Sequence, residues 1–195
     1  MINFENAHFV TSFAGKPSNL EKELPELLFV GRSNCGKSSL INALCKKNRL
    51  AFTSSTPGYT KLLNYFEVDN KFYIVDAPGY GFAKNRDKSY VDFGELMDNY
   101  FENNSNLKLV LVLLDARRIP NEDDVSIINY LIESKIPYII CYTKMDKLNM
   151  SEKAKISKNL SAVNLKIPAD LQYFTSSVEE KYLTKLRNYI NEIID

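Results

Sequence analysis

The run Gly31-Arg32-Ser33-Asn34-Cys35-Gly36-Lys37-Ser38-Ser39 constrains this chain more than any other feature, because it matches the pattern G-x-x-x-x-G-K-[ST]. A short apolar run at 27–31 precedes it, and Leu40, Ile41 and Leu44 follow at helical spacing. Strand, glycine loop, helix is the order that points successive backbone N–H groups at phosphate oxygens and adds the helix's unpaired N-terminal amides. Lys37 is expected to reach the β- and γ-phosphates of a nucleotide, and the Ser38 hydroxyl to coordinate Mg²⁺, which takes oxygen ligands.

The rest of the chain supplies a sheet for that loop. Residues 27–31, 72–76, 109–115, 138–143 and 171–175 read as strands buried on both faces, too short for helices. Val125, Ile128, Leu131 and Ile132 recur at three and four residues, as do Leu183, Leu186, Ile190 and Ile193, which predicts helix stripes facing the sheet. Alternation over 63–68, then Asp69-Asn70 and Phe72, predicts a hairpin adding one antiparallel strand. The expectation is a three-layer α/β fold: a mixed six-stranded sheet, mostly parallel, with helices on both faces. With 195 residues and no repeat or linker tract, residues 1–195 read as one domain, with 1–25 an N-terminal extension packed on it.

Composition removes other classes. The three cysteines, Cys35, Cys45 and Cys141, contain no CxxC pair, against a disulfide framework or a cysteine-only zinc site. The lone histidine, His8, lies far from any candidate nucleophile, against a Ser-His or Cys-His hydrolase. The N-terminus has no basic n-region and the longest apolar run, 109–114, is six residues, so neither a signal peptide nor a membrane span is expected and the location is read as cytoplasmic. Lys plus Arg total 25 against 24 Asp plus Glu, a net charge of +1, so contact with RNA must come from local patches.

Two further motifs complete a nucleotide site. Asp76-Ala77-Pro78-Gly79 ends a strand where ligands of open α/β folds bind, so Asp76 is placed to hold Mg²⁺ directly or through water, and Gly79 to offer a backbone N–H beside the γ-phosphate. At the end of 138–143 stands Thr143-Lys144-Met145-Asp146. Guanine presents two adjacent donors, N1–H and the N2 amine, that one carboxylate such as Asp146 can accept; adenine would leave that carboxylate unpaired. Lys144 would lie its stem along the base, and Thr175-Ser176-Ser177 follows the last strand, where a backbone N–H can meet guanine O6.

Taken together, GRSNCGKSS, TPGYT, DAPGYGFAK, TKMD and TSS stand in the order of the P-loop GTPases. More narrowly the chain resembles the YihA/YsxC/EngB family of ribosome-assembly GTPases. The resemblance implies a Ras-like G domain that binds GTP and GDP with Mg²⁺ and acts late in assembly of the large (50S) ribosomal subunit, needed for normal growth and sometimes linked to cell division and septation. It implies that Gly58, Tyr59, Thr60, Lys61 and Leu62 form the first switch, with Thr60 a Mg²⁺ ligand alongside Ser38 and Asp76. Thr143 stands where most GTPases have Asn. The implied partner is the large subunit, through rRNA or ribosomal proteins, with no DNA or membrane partner and a monomeric chain.

Hydrolysis is expected to be slow. Ras-type enzymes orient water with a glutamine after D-x-x-G, and here that residue is Tyr80, which gives a basal rate on the order of 10⁻⁴ to 10⁻² s⁻¹. Asn34 occupies the loop position that supplies an oxygen to K⁺ in related K⁺-activated GTPases, so K⁺ is a candidate activator, with the ribosome a second. Lys46, Lys47 and Arg49, and Lys84, Arg86 and Lys88, form basic clusters beside the two switches. Arg117 and Arg118 stand at another strand end. Cys35 reads as a small packing residue. A nucleotide kinase or ATPase shares the phosphate loop, although no Arg-rich lid insertion is present; a nucleotide-stabilised interaction module without turnover is the third reading.

Overall fold

The structure, a computed structural model, describes residues 1–15, 20–51, 62–81, 86–102 and 104–194, and their side chains except at 86–92 and 157. The elements run β1 (Ala7–Phe13), β2 (Glu26–Gly31), α1 (Lys37–Leu44), β3 (Leu63–Val68), β4 (Phe72–Asp76), α2 (Arg86–Phe101) and β5 (Leu107–Asp115). Then follow α3 (Glu122–Glu133), β6 (Tyr138–Thr143), α4 (Met150–Lys153), α5 (Ile156–Ala162), β7 (Gln172–Phe174) and α6 (Glu180–Ile194).

The strands form one sheet in the order β1-β3-β4-β2-β5-β6-β7. β3 pairs antiparallel with both β1 and β4, and the other pairs are parallel, so β3 alone runs against the rest. The expected six strands are therefore seven. The added one, β1, is an outer strand whose residues are mostly exposed or half-buried and whose register slips between Phe9 and Thr11, so it carries neither two-sided burial nor regular alternation. At the other edge, β7 pairs, among the described residues, only with β6 and leaves Phe174 exposed, unlike the two-face burial expected of 171–175.

Side-chain alternation sorts the central strands into two cores. Leu27 and Phe29 of β2, with Leu109, Leu111 and Leu113 of β5, pack beneath Leu40, Ile41 and Leu44 of α1 and Leu183, Leu186 and Ile190 of α6. Leu28, Val30, Val110, Val112 and Leu114 face the opposite way, toward Leu96, Met97 and Tyr100 of α2, Ile128 and Leu131 of α3, and Leu160 of α5. This is the expected helix–sheet–helix arrangement. Ile132, expected on the buried stripe of α3, is 44 % exposed instead.

Helix ends are closed by side chains. Arg187 of α6 donates to the carbonyls of Ala43 (2.8 Å) and Leu44 (2.9 Å), filling two of the acceptors left open at the end of α1. α3 begins with a reciprocal capping box between Asn121 and Asp124. Among the described residues no helix is long and apolar enough to cross a membrane.

Candidate nucleotide site

Because β2, β4, β5 and β6 are parallel, their C-terminal ends open along one edge, and they end in Gly31, Asp76, Asp115 and Thr143. The phosphate loop fills the gap between β2 and α1. Asn34 (φ 65°) and Gly36 (φ 104°) are left-handed, and Gly36 occupies the N-cap of α1 with no side-chain cap, so no side chain of the cap residue takes up the helix's first N–H groups, which are the kind of donors that bind phosphate. Cys35 is buried within it and burial pushes its thiol up to about 11, in keeping with a packing role. Arg32, Ser33, Lys37 and Ser38 are half-buried, while Asn34 and Ser39 are exposed.

Lys37 leads α1 and forms an ion pair with Asp76 at the end of β4, with side-chain exposures of 10 % and 7 %. This pair sets a cation for phosphate oxygens beside an anion for a metal, and Ser38 is the next residue. Among the described residues no group of three or more His, Cys, Asp or Glu gathers as a metal site, so Mg²⁺ here would rest on Ser38, Asp76 and the oxygens of phosphate and water. That donor set, hard oxygens with one charge, fits Mg²⁺. Gly58, Tyr59, Thr60 and Lys61 lie outside the described residues, as does Lys84; Leu62 is 38 % exposed just before β3.

After Asp76 the chain passes buried Ala77 and half-buried Pro78, and Gly79 then lies directly on the phosphate loop. A Cβ on Gly79 would meet Ser33 Oγ at 2.8 Å and Ser33 Cα at 2.9 Å, closer than real contacts allow. The Ser33 N–H donates to the Tyr80 carbonyl at 3.0 Å, and its hydroxyl to the Gly79 carbonyl at 3.3 Å. The Tyr80 side chain turns away: it is 5 % exposed and its hydroxyl donates to Asp124 Oδ1 at 2.6 Å. It therefore has no free hydroxyl with which to hold a water at the phosphates.

The base side is tied to the phosphate side through two residues of the TKMD segment. The buried Thr143 hydroxyl donates to the Cys35 carbonyl, anchoring the loop from β6. Lys144, left-handed at φ 62°, donates to the Asn34 carbonyl at 2.7 Å and to Asp115 Oδ2 at 3.0 Å. Met145 is buried and its N–H donates to the Thr175 carbonyl at 3.2 Å. Asp146 accepts from the Ser176 hydroxyl at 2.8 Å and lies 3.3 Å from the Lys147 ammonium. Burial alone would raise its pKa, but Ser176 and Lys147 hold it below the ordinary carboxylate value. Thr175 and Ser176 are buried, and Ser176 also accepts from the N–H groups of Val178 and Glu179 at the start of α6; Ser177 is exposed.

Asp115 belongs to this site although its role was not read from the sequence. It accepts two side-chain hydrogen bonds from Arg117 (2.9 and 2.7 Å) besides that from Lys144. Burial acts to raise its pKa, and the Arg117 and Lys144 bonds overcome that and set it at about 2. The signal was available: a carboxylate ending an apolar run at the ligand edge is the pattern that singled out Asp76. Arg117 is thus engaged within the chain, while Arg118 is exposed. Of the first basic cluster, Lys47 and Arg49 are exposed and Lys46 is paired with Glu5 at 2.8 Å. A separate apolar cleft of about 160 Å³ between α2 and α3, lined by Phe93, Met97, Phe101 and Tyr130, contains none of the phosphate or base residues.

The family described as 50S ribosome-binding GTPase matches residues 26–144, which holds the phosphate loop, Asp76, Gly79, Thr143 and Lys144. A probable GTP-binding protein EngB of Lactobacillus acidophilus is 38 % identical over 194 residues, covering 97 % of each chain. This chain belongs to the EngB family. Another relative, the probable GTP-binding protein EngB of Fusobacterium nucleatum, is 42 % identical over 185 residues, covering 91 % of this chain and 93 % of its own. Among solved structures, a crystal structure of a probable GTP-binding protein engB superposes with a TM-score of 0.67 at 25 % identity, covering 87 % of this chain and 98 % of that one. The EngB-family chain thus has the α/β fold of P-loop GTPases, with the seventh strand at its edge.

Proposed function

We propose that this EngB-family protein binds GTP and GDP with Mg²⁺, hydrolyses GTP slowly, and uses the two states as a switch in late assembly of the large (50S) ribosomal subunit. In this reading it works in the cytoplasm as a monomer, contacts rRNA or ribosomal proteins rather than DNA or membrane, and is needed for normal growth, with cell division and septation affected in turn. The observation that carries the nucleotide part is Lys144. Its ammonium joins the phosphate loop at Asn34 to the base side at Asp115, while the next turn holds the Asp146 carboxylate ready to accept from two adjacent donors. That lip suits guanine and leaves adenine's edge unmatched.

Within the site, Lys37 and the N–H groups of the loop and α1 take phosphate charge, and the Gly79 N–H is the hinge toward the third phosphate. Mg²⁺, when bound, would supply charge neutralisation, with Ser38 and Asp76 to hold it and Thr60 as the further ligand that the family resemblance implies. The buried Tyr80 hydroxyl supports slow turnover, because no side chain at that position orients water. It also favours, as second reading, a nucleotide-stabilised interaction module with negligible hydrolysis. Asn34, exposed and with its backbone already held by Lys144, keeps its side-chain oxygen available for a K⁺ ion.

Calorimetry with Mg²⁺ tests the first claim: GTP and GDP are expected to bind and ATP not to compete, and equal displacement by adenine nucleotides would overturn it. Single-turnover hydrolysis is expected to rise in K⁺ over Na⁺ and again with large subunits, and co-sedimentation with those subunits to depend on the nucleotide. Equal rates in Na⁺ and K⁺ would remove the K⁺ claim, and co-sedimentation indifferent to nucleotide would remove the switch.

A further inference from the structure

Tyr80 stands where the phosphate loop, α2 and α3 meet. Its backbone is stitched to the loop on both sides, the N–H donating to the Gly31 carbonyl at 3.4 Å and the carbonyl accepting from the Ser33 N–H at 3.0 Å. Its ring lies 5.7 Å from that of Phe93 on α2, and its hydroxyl donates to Asp124 Oδ1 on the first turn of α3 at 2.6 Å. That acceptor is itself fixed. Asp124 Oδ2 accepts from the Asn121 N–H at 3.0 Å, and the Asp124 N–H donates to Asn121 Oδ1 at 3.1 Å, so the carboxylate is part of the helix cap rather than a free arm. Burial keeps the Tyr80 phenol protonated, and so a donor, across the working pH range.

The consequence falls on Ser33. Both of its donors, the N–H and the hydroxyl, are engaged by the carbonyls of Tyr80 and Gly79, and no space remains for a Cβ between Gly79 and the loop. A third phosphate brings oxygens that compete for loop donors, and it calls on the Gly79 N–H, so the Gly79-Tyr80 segment must lift from Ser33 to admit it. A diphosphate makes no such demand.

We propose that the Tyr80–Asp124 hydrogen bond is a latch that holds this segment down on the phosphate loop and so weights the site toward diphosphate over triphosphate. Tyr80 acts as a positioning residue, through Gly79, and α3 is the element to which the nucleotide state is coupled. A contact made only in the closed arrangement shifts the balance by its differential energy, and a buried hydrogen bond to a charged acceptor suffices for about tenfold. The proposal rests on the guanine-nucleotide reading above.

The test compares the full-length wild-type chain with Tyr80→Phe, which keeps the ring against Phe93, and Asp124→Asn, which removes the charge but leaves an oxygen for the Asn121 N–H. Dissociation constants for GDP and for a non-hydrolysable GTP analogue are measured with Mg²⁺, together with thermal unfolding without nucleotide. The affinity ratio of triphosphate to diphosphate is expected to rise about tenfold in Y80F and to move the same way in D124N, with the double variant adding little to Y80F. A merely structural role would lower the unfolding temperature and weaken both ligands alike; that result, or an unmoved ratio, overturns the latch while leaving guanine binding intact. A wild-type chain that binds neither guanine ligand would overturn the underlying reading and the latch with it.

Discussion

A carboxylate at the end of a buried strand is costly unless its oxygens are filled, and Asp115 fills both, with Arg117 and Lys144. Its folded pKa of about 2 lies below the ordinary unfolded value of about 3.9, so its stabilising contribution is present above pH 4 and is lost as the pH falls toward 2. Urea midpoints of the nucleotide-free protein between pH 5 and pH 2 should therefore fall more steeply for wild type than for Asp115→Asn; parallel curves would show that the pairing does not persist in solution. Asp146 carries a prediction of another kind. An amide there keeps one acceptor and offers one donor, so Asp146→Asn should weaken GTP binding by 100-fold or more while improving binding of xanthine nucleotides, whose O2 replaces the N2 amine, as read by competition calorimetry. Asp146 and Asp76 were readable from sequence because each follows a recognisable strand within a motif. Asp115 has no motif around it, only its place at the same edge.

At the scale of elements, hydrophobic pattern located the buried strands and missed whatever polar contacts decide. β1 is held at the edge by backbone pairing to β3, which leaves no two-sided apolar signature. On α3 the apolar residues alone put Ile132 on the buried stripe, but Asp124 takes a buried position with Tyr80 and the helix cap, and the inward face runs through Asp124, Ile128 and Leu131 instead. Asn42 is another such polar determinant. Buried on α1, its amide donates to the Ala51 carbonyl at 2.8 Å and accepts from the Ala51 N–H at 2.7 Å, fixing the chain at the last described residue before the segment that contains Thr60. Asn42→Ala removes both bonds and leaves two backbone groups without partners, so a loss of about 2 to 3 kcal/mol is expected from denaturant unfolding. A loss below about 0.5 kcal/mol would mean that water replaces the clamp without difficulty.

For the molecule as a whole, a net charge of +1 gives no general attraction to RNA, so the proposed ribosomal contact would have to be concentrated where basic side chains stand clear of carboxylates. Of the two sequence clusters, only the first has described side chains, those of Lys84, Arg86 and Lys88 lying outside the description. Lys46 is held by Glu5, while Lys47 and Arg49 are exposed at the end of the loop following α1, on the approach to the segment that contains Thr60. Arg86 begins α2, which follows the Gly79-Tyr80 segment in the chain. Phosphate contacts release counterions, so each one steepens the fall of affinity with salt by a definite increment. If Lys47 and Arg49 touch rRNA phosphates, replacing both with Ala should weaken large-subunit binding and make its dependence on log salt shallower by about 1.5, with GTP affinity unaltered. Lys46→Ala should change that slope little, because its charge is already compensated by Glu5. Binding curves whose salt slope is the same for wild type and the double variant would remove Lys47 and Arg49 from any proposed contact with the subunit.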